Sequence, residues 1–208
     1  MNHPRLSDEE ELVNAITHGV ACIGGAIAAI LVLLNSDFTT PNRQVAFLLY
    51  SVSLVLLFWM SMLSHAVSEP KRRHRFRAWD QGAIYLFIAG TYTPSIIAFA
   101  SGWTTAFLLT FVWGIAAFGF YAKVIAEHQV NAATTASYLA LGWVPAMFLL
   151  PVVPREYFLW LFAGGVTYSV GVAFLLNDRR FRFFHAGWHL FVVLAAGIHF
   201  YAICSMAI

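Results

Sequence analysis

The chain has 208 residues, of which 60% are hydrophobic and only 11% are charged, and its mean hydropathy is +0.72. A soluble domain carries about 25% charged residues, so this composition excludes a water-soluble globular domain. The formal net charge of +2 gives no indication of a nucleic-acid partner. The expected surroundings of the chain are membrane lipids.

Seven apolar segments follow one another along the chain, each about as long as the hydrocarbon core of a bilayer is thick. Their connections are short, so we expect residues 1–208 to form one transmembrane domain. The segments are too long and too uniformly apolar to be barrel strands, and lipid does not satisfy an open backbone. The sequence therefore predicts an all-α polytopic membrane protein, a seven-transmembrane-helix bundle with helices at 12–34, 44–67, 80–99, 103–122, 134–151, 156–176 and 184–206.

Basic residues lie mostly on one side of these predicted helices. Of the twelve, only Arg43 and Arg155 belong to connections on the other side. Because Lys and Arg accumulate in cytoplasmic loops, we predict a cytoplasmic N-terminus and an outside C-terminus. The ten residues assigned to the cytoplasmic side are Arg5, Lys71, Arg72, Arg73, Arg75, Arg77, Lys123, Arg179, Arg180 and Arg182.

The first two predicted helices carry polar residues near their cytoplasmic ends. In the first helix, Glu11, Asn14 and His18 follow i, i+3, i+7 spacing. In the second helix, Ser61 and His65 are four residues apart and therefore share one face. Both groups are expected at the same depth in the membrane.

The third and seventh helices add polar residues at that depth. Asp80 begins the third helix, and His185 and His189 open the seventh with i, i+4 spacing. Unrelated polar residues would not share one membrane level, so we expect a common site. His199 lies ten residues beyond His189, about 15 Å further along the helix, and we predict an interhelix contact for it instead.

Three imidazoles at one depth indicate a transition-metal site. Three protein ligands plus a water molecule form the usual catalytic zinc centre, and His65, His185 and His189 would supply the ligands. Asp80 would hold or deprotonate the water, and Ser61 would hydrogen-bond the water, a ligand or a developing oxyanion. An ordinary helix-packing role for the two histidines of the seventh helix is the alternative.

Three residues of the first helix are candidates for a supporting role. Glu11, Asn14 and His18 would orient the metal ligands or gate the site, because groups around the ligands fix their orientation. Plain interhelical hydrogen bonding by these side chains fits the pattern equally well.

With these residues in view, the chain resembles the hemolysin III branch of the progestin and adipoQ receptor family. The pattern of that family is Ser-x-x-x-His in helix 2, an Asp at the head of helix 3 and His-x-x-x-His in helix 7. Here the pattern reads Ser61 to His65, Asp80, and His185 to His189.

Two further segments, 11–19 and 89–94, resemble motifs of the bacterial members, and the resemblance covers the whole chain. It implies a seven-helix bundle in a bacterial inner membrane, and kinship with alkaline ceramidases and other membrane metal hydrolases. It also implies an intramembrane zinc ion held by His65, His185 and His189.

Four functions are compatible with these features. The first is a zinc-dependent hydrolase of a lipid amide or ester, similar to a ceramidase, with Asp80 as base and Ser61 at the oxyanion. The second is a receptor-like or membrane-homeostasis protein in which zinc is structural. The third is an ion or proton pathway, and the fourth is a cytolytic hemolysin. We favour the first, with the second as a close rival, because three histidines that leave a metal position open lie beside an acidic residue. The polar residues stay on one side of the membrane, which argues against the third function. A basic cytoplasmic rim is typical of a resident membrane protein, which argues against the fourth.

Overall fold

The structure, a computed structural model, describes residues 6–126, 132–206 and 208. Within these ranges every regular element of secondary structure is a helix, which confirms the predicted all-α class. A π-helical segment, Tyr121–Ile125, continues the fourth helix. The helices are α1 (Asp8–Asn35), α2 (Pro41–Ala66), α3 (Pro70–Phe99), α4 (Gly102–Phe120), α5 (Ala132–Leu149), α6 (Arg155–Leu176) and α7 (Phe184–Met206).

Six of the described helices are long and apolar enough to cross a membrane. The shorter apolar helix is α5, whose apolar part is Thr134–Leu149. The protein is thus a multi-pass membrane protein. A seventh crossing and the orientation of the termini stay predictions.

The third helix begins at Pro70, so the predicted start at residue 80 is wrong. The Glu69 carboxylate accepts hydrogen bonds from the backbone N–H groups of Lys71 and Arg72, at 3.0 and 2.8 Å, and Pro70 occupies the first helical position. Hydropathy rises only after these polar first turns, which misplaced the boundary. Asp80 therefore lies about three turns inside α3, and the basic residues 71–77 belong to a helix and not to a loop.

The assignment of Lys123 to a connection between helices is also wrong. Lys123 lies in the π-helical segment with 4% of its surface exposed, and its Nζ donates a hydrogen bond to Oγ1 of Thr134 at 2.9 Å. Its charge therefore contributes less to the basic rim than the sequence suggested.

The central helix of the bundle is α3, which packs against α2 and α4 and also contacts α5 and α7. Helix α1 packs on α2 and α7, and α6 packs on α7. This order brings the first turns of α1 and α7 next to the end of α2, where the predicted site residues lie.

The faces of α1 are reversed relative to a soluble helix. Its buried stripe includes Glu11, Asn14 and His18, whereas Ile23 and Leu34 are 65% and 77% exposed. Polar residues inside a bundle and apolar residues outside are expected when the surrounding solvent is lipid.

Candidate metal centre

Three histidines meet at one end of the bundle. The last turn of α2 carries His65, and the first turns of α7 carry His185 and His189. One ring nitrogen from each lies within 4.8 Å of the others. We call this end of the molecule, defined by His65, His185 and His189, the histidine end.

The carboxylate of Glu11 orients the ring of His65. Oε2 of Glu11 lies 2.6 Å from Nδ1 of His65. A carboxylate accepts hydrogen bonds, so Nδ1 carries the proton and the lone pair of the ring is on Nε2. The other oxygen, Oε1, lies 3.0 Å from Nη2 of Arg77 and 3.6 Å from Nη1 of Arg73, which balance the buried charge.

Asp178 holds His185 in the same way. Its Oδ2 lies 2.9 Å from Nδ1 of His185, which leaves Nε2 of that ring with the lone pair. Asp178 lies in the connection between α6 and α7. This connection is attached to α1, because the backbone N–H of Phe183 donates to Oε1 of Glu10 at 3.0 Å and Arg182 forms an ion pair with Glu9.

The remaining ligand candidate, His189, lies between polar residues of α1. The ring of His18 stacks on it with a centroid distance of 3.7 Å and an interplanar angle of 12°. Within the described residues, neither ring nitrogen of His18 and neither amide atom of Asn14 has a hydrogen-bond partner, and all are buried. His18 therefore lies against His189, and the buried polar atoms of Asn14 and His18 are unsatisfied by the residues that the structure describes, which is uncommon for buried polar groups.

Asp80 lies beside the histidines, half-buried, in the wall of the same cavity. Its Oδ2 is 3.1 Å from the hydroxyl group of Ser64, which is also 2.9 Å from the carbonyl oxygen of Ser61. Ser61 is 2% exposed and lines the cavity as well. The structure thus brings both predicted catalytic residues next to the three histidines.

A cavity of about 650 Å³ extends from the histidine end into the bundle. Both His189 and His199 line it, so it follows α7 for about 15 Å. Its two ends differ in character. The outer end is the end at the three histidines, and the inner end is the one deep in the bundle. Charged residues line the outer end: Arg77, Asp178, Arg180 and Arg182. Mainly apolar residues line the inner end: Phe158, Leu161, Phe162 and Trp143.

His199 makes the interhelix contact that was predicted for it. Its Nε2 lies 3.1 Å from the carbonyl oxygen of Leu161 on α6. It is not part of the three-histidine group.

The donor set fits a transition-metal ion. Three imidazoles lie close together. In two of them, His65 and His185, Nδ1 is hydrogen-bonded to a carboxylate. Metal-binding histidines usually have one ring nitrogen paired in this way while the other binds the metal. His65, His185 and His189 are therefore close enough to hold one metal ion.

Two residues of the site escaped the sequence analysis. Ser64 directly precedes His65, but its contact with Asp80 depends on the early start of α3. Asp178 stands seven residues before His185 in a connection whose path depends on Phe183, which has a positive φ of 62°. The only signal for Asp178 was an acidic residue directly before a basic cluster, which is common at membrane surfaces.

These features define a polytopic, all-α membrane protein with a histidine-rich cavity at one end. The profile of the family described as Haemolysin-III related matches residues 7–200. The chain belongs to this family, which confirms the resemblance found in the sequence.

Several known proteins are similar over nearly the whole chain. Hemolysin-3 of Bacillus cereus is 37% identical over 202 residues, covering 94% of this chain and 90% of that protein. The Hemolysin-3 homolog of Bacillus subtilis (strain 168) is 32% identical, with coverages of 94% and 93%. Monocyte to macrophage differentiation factor of Homo sapiens is 30% identical, with coverages of 93% and 83%.

Proposed function

We propose that the protein is a zinc-dependent hydrolase of a lipid amide or ester that acts in membrane homeostasis. One observation carries the proposal: the three histidines and Asp80 lie at the polar end of a cavity whose inner end is apolar. His65, His185 and His189 would hold the zinc ion, since three imidazoles with one open position are typical of catalytic zinc.

When bound, zinc polarises a carbonyl group and lowers the pKa of a water molecule to about 7. The residues of the chain supply the rest. The hydroxyl group of Ser64 lies 3.1 Å from Oδ2 of Asp80 and would help to position this carboxylate, which would accept a proton from the attacking water. Ser61 lines the same cavity and would donate to the oxygen on which negative charge develops.

The shape of the cavity supports a lipid as the substrate. Its volume of about 650 Å³ lies within the usual range for small-molecule sites. A polar headgroup would lie near Asp80 and an acyl chain would extend toward Phe158 and Phe162. The substrate class is therefore an amphiphile with its cleavable amide or ester bond close to the headgroup.

The basic residues support a cytoplasmic location for this site. Arg73 and Arg77 on α3, and Arg180 and Arg182 after α6, lie at the histidine end. Lys and Arg stay on the cytoplasmic side of a cell membrane. The proposal therefore places the N-terminus inside, the C-terminus outside and the histidine end at the inner surface of a bacterial inner membrane.

A structural metal ion in a receptor-like protein is the second candidate. It is favoured by the origin of the ligands, because a metal bound by His65 of α2 and His189 of α7 would tie two helices together. Loss of the metal would then lower stability, and Asp80 would have no part in chemistry.

Hydrolysis by the zinc-loaded protein separates the two candidates. Wild type and Asp80→Asn are purified, their zinc content is measured, and both are incubated with a panel of lipid amides and esters. We expect wild type to cleave at least one class, and Asp80→Asn to keep its zinc and lose about 10²–10⁴-fold in rate. Asp37→Asn, at an exposed position between α1 and α2, is the control and should retain full activity.

If zinc-loaded wild type cleaves none of the panel, or if Asp80→Asn turns lipids over at the wild-type rate, the hydrolase proposal fails and the structural role takes its place.

A further inference from the structure

His199 lines the inner part of the cavity, and one of its two ring nitrogens is a hydrogen-bond acceptor that no described residue satisfies. Its Nε2 lies 3.1 Å from the carbonyl oxygen of Leu161, and a carbonyl group only accepts, so Nε2 carries the proton. In the neutral ring the other nitrogen, Nδ1, is therefore an acceptor. Nδ1 is buried and has no hydrogen-bond partner among the described residues.

The position of His199 depends on a glycine in the neighbouring helix. A Cβ atom at Gly164 would collide with Nε2 of His199. Only the absence of a side chain at Gly164 allows the imidazole to lie against the backbone of α6 and to reach the carbonyl oxygen of Leu161.

Tyr168 adds a second unpaired polar group to the same part of the cavity. Its ring centroid lies 5.7 Å from that of His199, and both residues line the cavity. The Tyr168 hydroxyl group is buried and, within the part of the chain that is described, makes no hydrogen bond. By contrast, the polar groups of Trp143 and Ser169 close by are paired with each other at 3.1 Å.

A buried hydroxyl group and a buried acceptor nitrogen need partners. We propose that Tyr168 and His199 bind the hydroxyl group of a lipid chain that lies in the cavity. This hydroxyl would donate to Nδ1 of His199 and accept from Tyr168. The inference rests on the proposed function in one respect, that the cavity holds a lipid.

The geometry also fixes where on the lipid this hydroxyl group lies. His199 is ten residues beyond His189 on α7, about 15 Å from the level of the metal ligands. A headgroup at the histidine end therefore places the hydroxyl in the middle of the acyl chain. The proposed ligand is a lipid hydroxylated at mid-chain, and not one whose hydroxyl is next to its headgroup.

Binding of paired fatty acids to the full-length protein tests this subsite. Stearic acid is compared with a series of hydroxystearic acids in which the hydroxyl group moves along the chain, each in competition with radiolabelled stearic acid. We expect a mid-chain hydroxyl to improve affinity about tenfold, which corresponds to two net hydrogen bonds. A hydroxyl close to the carboxyl group should give no gain.

Two variants test whether Tyr168 and His199 cause the higher affinity for a mid-chain hydroxyl group. Tyr168→Phe removes one oxygen atom, and His199→Gln keeps an N–H group for Leu161 while removing Nδ1. Both should lose the preference for the mid-chain hydroxyl and bind stearic acid as before. Tyr201→Phe is the matched control, because Tyr201 is 54% exposed on the outside of the bundle, and it should keep the preference.

The remaining outcomes overturn the proposal in distinguishable ways. If stearic acid binds but no hydroxystearic acid binds better, water and not a lipid hydroxyl satisfies Tyr168 and His199, and the proposed function is unaffected. If the preference persists in Tyr168→Phe, the hydroxyl is bound elsewhere. If not even stearic acid binds, both the subsite and lipid occupancy of the cavity are refuted.

Discussion

At the scale of single residues, two carboxylates determine which ring nitrogen of His65 and of His185 keeps its lone pair. Glu11 and Asp178 each occupy Nδ1 of an imidazole, on His65 and His185, and leave the opposite nitrogen free. An imidazole that is already fixed in one tautomer and one orientation loses little conformational entropy when it binds a metal. Two of the three histidines thus have a carboxylate that orients the ring, Glu11 for His65 and Asp178 for His185.

Asp178 should therefore be needed for metal affinity although it is not a ligand. We expect Asp178→Ala to weaken zinc binding about 10–100-fold, because His185 loses the partner that orients it. Competition with a chromophoric chelator measures the change, and Asp37→Ala, an exposed acid outside the site, is the control. Unchanged affinity in Asp178→Ala would mean that helix packing alone orients His185.

The sequence indicated the three histidines and Glu11, but it did not indicate Asp178. His185 and His189 share a helix face by spacing alone, and the depth of His65 followed from the direction of α2. Asp178 reaches His185 through an irregular connection that contains Phe183 at positive φ, and no periodic pattern describes such a path.

At the scale of helices, the close approach of α6 and α7 depends on small residues. Gly164 lies against the imidazole of His199, and a Cβ at Gly171 would lie 2.7 Å from Cβ of Phe191. Small residues let helix backbones approach closely in a membrane, where packing and not the hydrophobic effect drives association.

Adding a methyl group at Gly164 should force α6 and His199 apart. We expect Gly164→Ala to lower the free energy of unfolding by about 1–3 kcal/mol, the usual cost of overpacking. Gly197→Ala, in α7 with open space around the new methyl group, should be neutral or stabilising because alanine favours helix. Thermal unfolding of both variants in the same detergent compares them, and equal stability would refute the packing argument.

Helix type was predictable along the chain, but the ends of the helices were not. Hydropathy locates the apolar part of α3 correctly but misses the start of this helix. The first turns, capped by Glu69 and opened by Pro70, are polar and give no hydropathy signal. The same limit applies to Lys123, whose burial depends on the π-helical continuation of α4 and on Thr134 of α5.

At the scale of the whole molecule, the sequence predicts a helical membrane protein, but it does not predict the cavity. Class and family follow from composition and motifs that extend along the entire chain. A void of about 650 Å³ arises from the way side chains of several helices fail to fill the space between them, which no single helix reveals.

The predicted orientation of the molecule depends on the side that carries the basic residues and on whether α5 is a seventh crossing. Helix α5 has 18 residues and is about 27 Å long, close to the thickness of a bilayer core. We therefore expect reporter fusions after Ala126 and after Val152 to lie on opposite sides of the membrane. An alkaline phosphatase fused after Ile208 should be active outside the cytoplasm. Fusions after Ala126 and Val152 on the same side would show that α5 does not cross.

The central claim is that His65, His185 and His189 hold a zinc ion, and elemental analysis of the purified protein tests it most directly. We predict one zinc ion per chain in wild type, loss of that ion in His185→Ala and in His189→Ala, and full retention in His199→Gln, which changes a histidine outside the group. Wild-type protein without zinc, or full zinc content in both alanine variants, would contradict the claim.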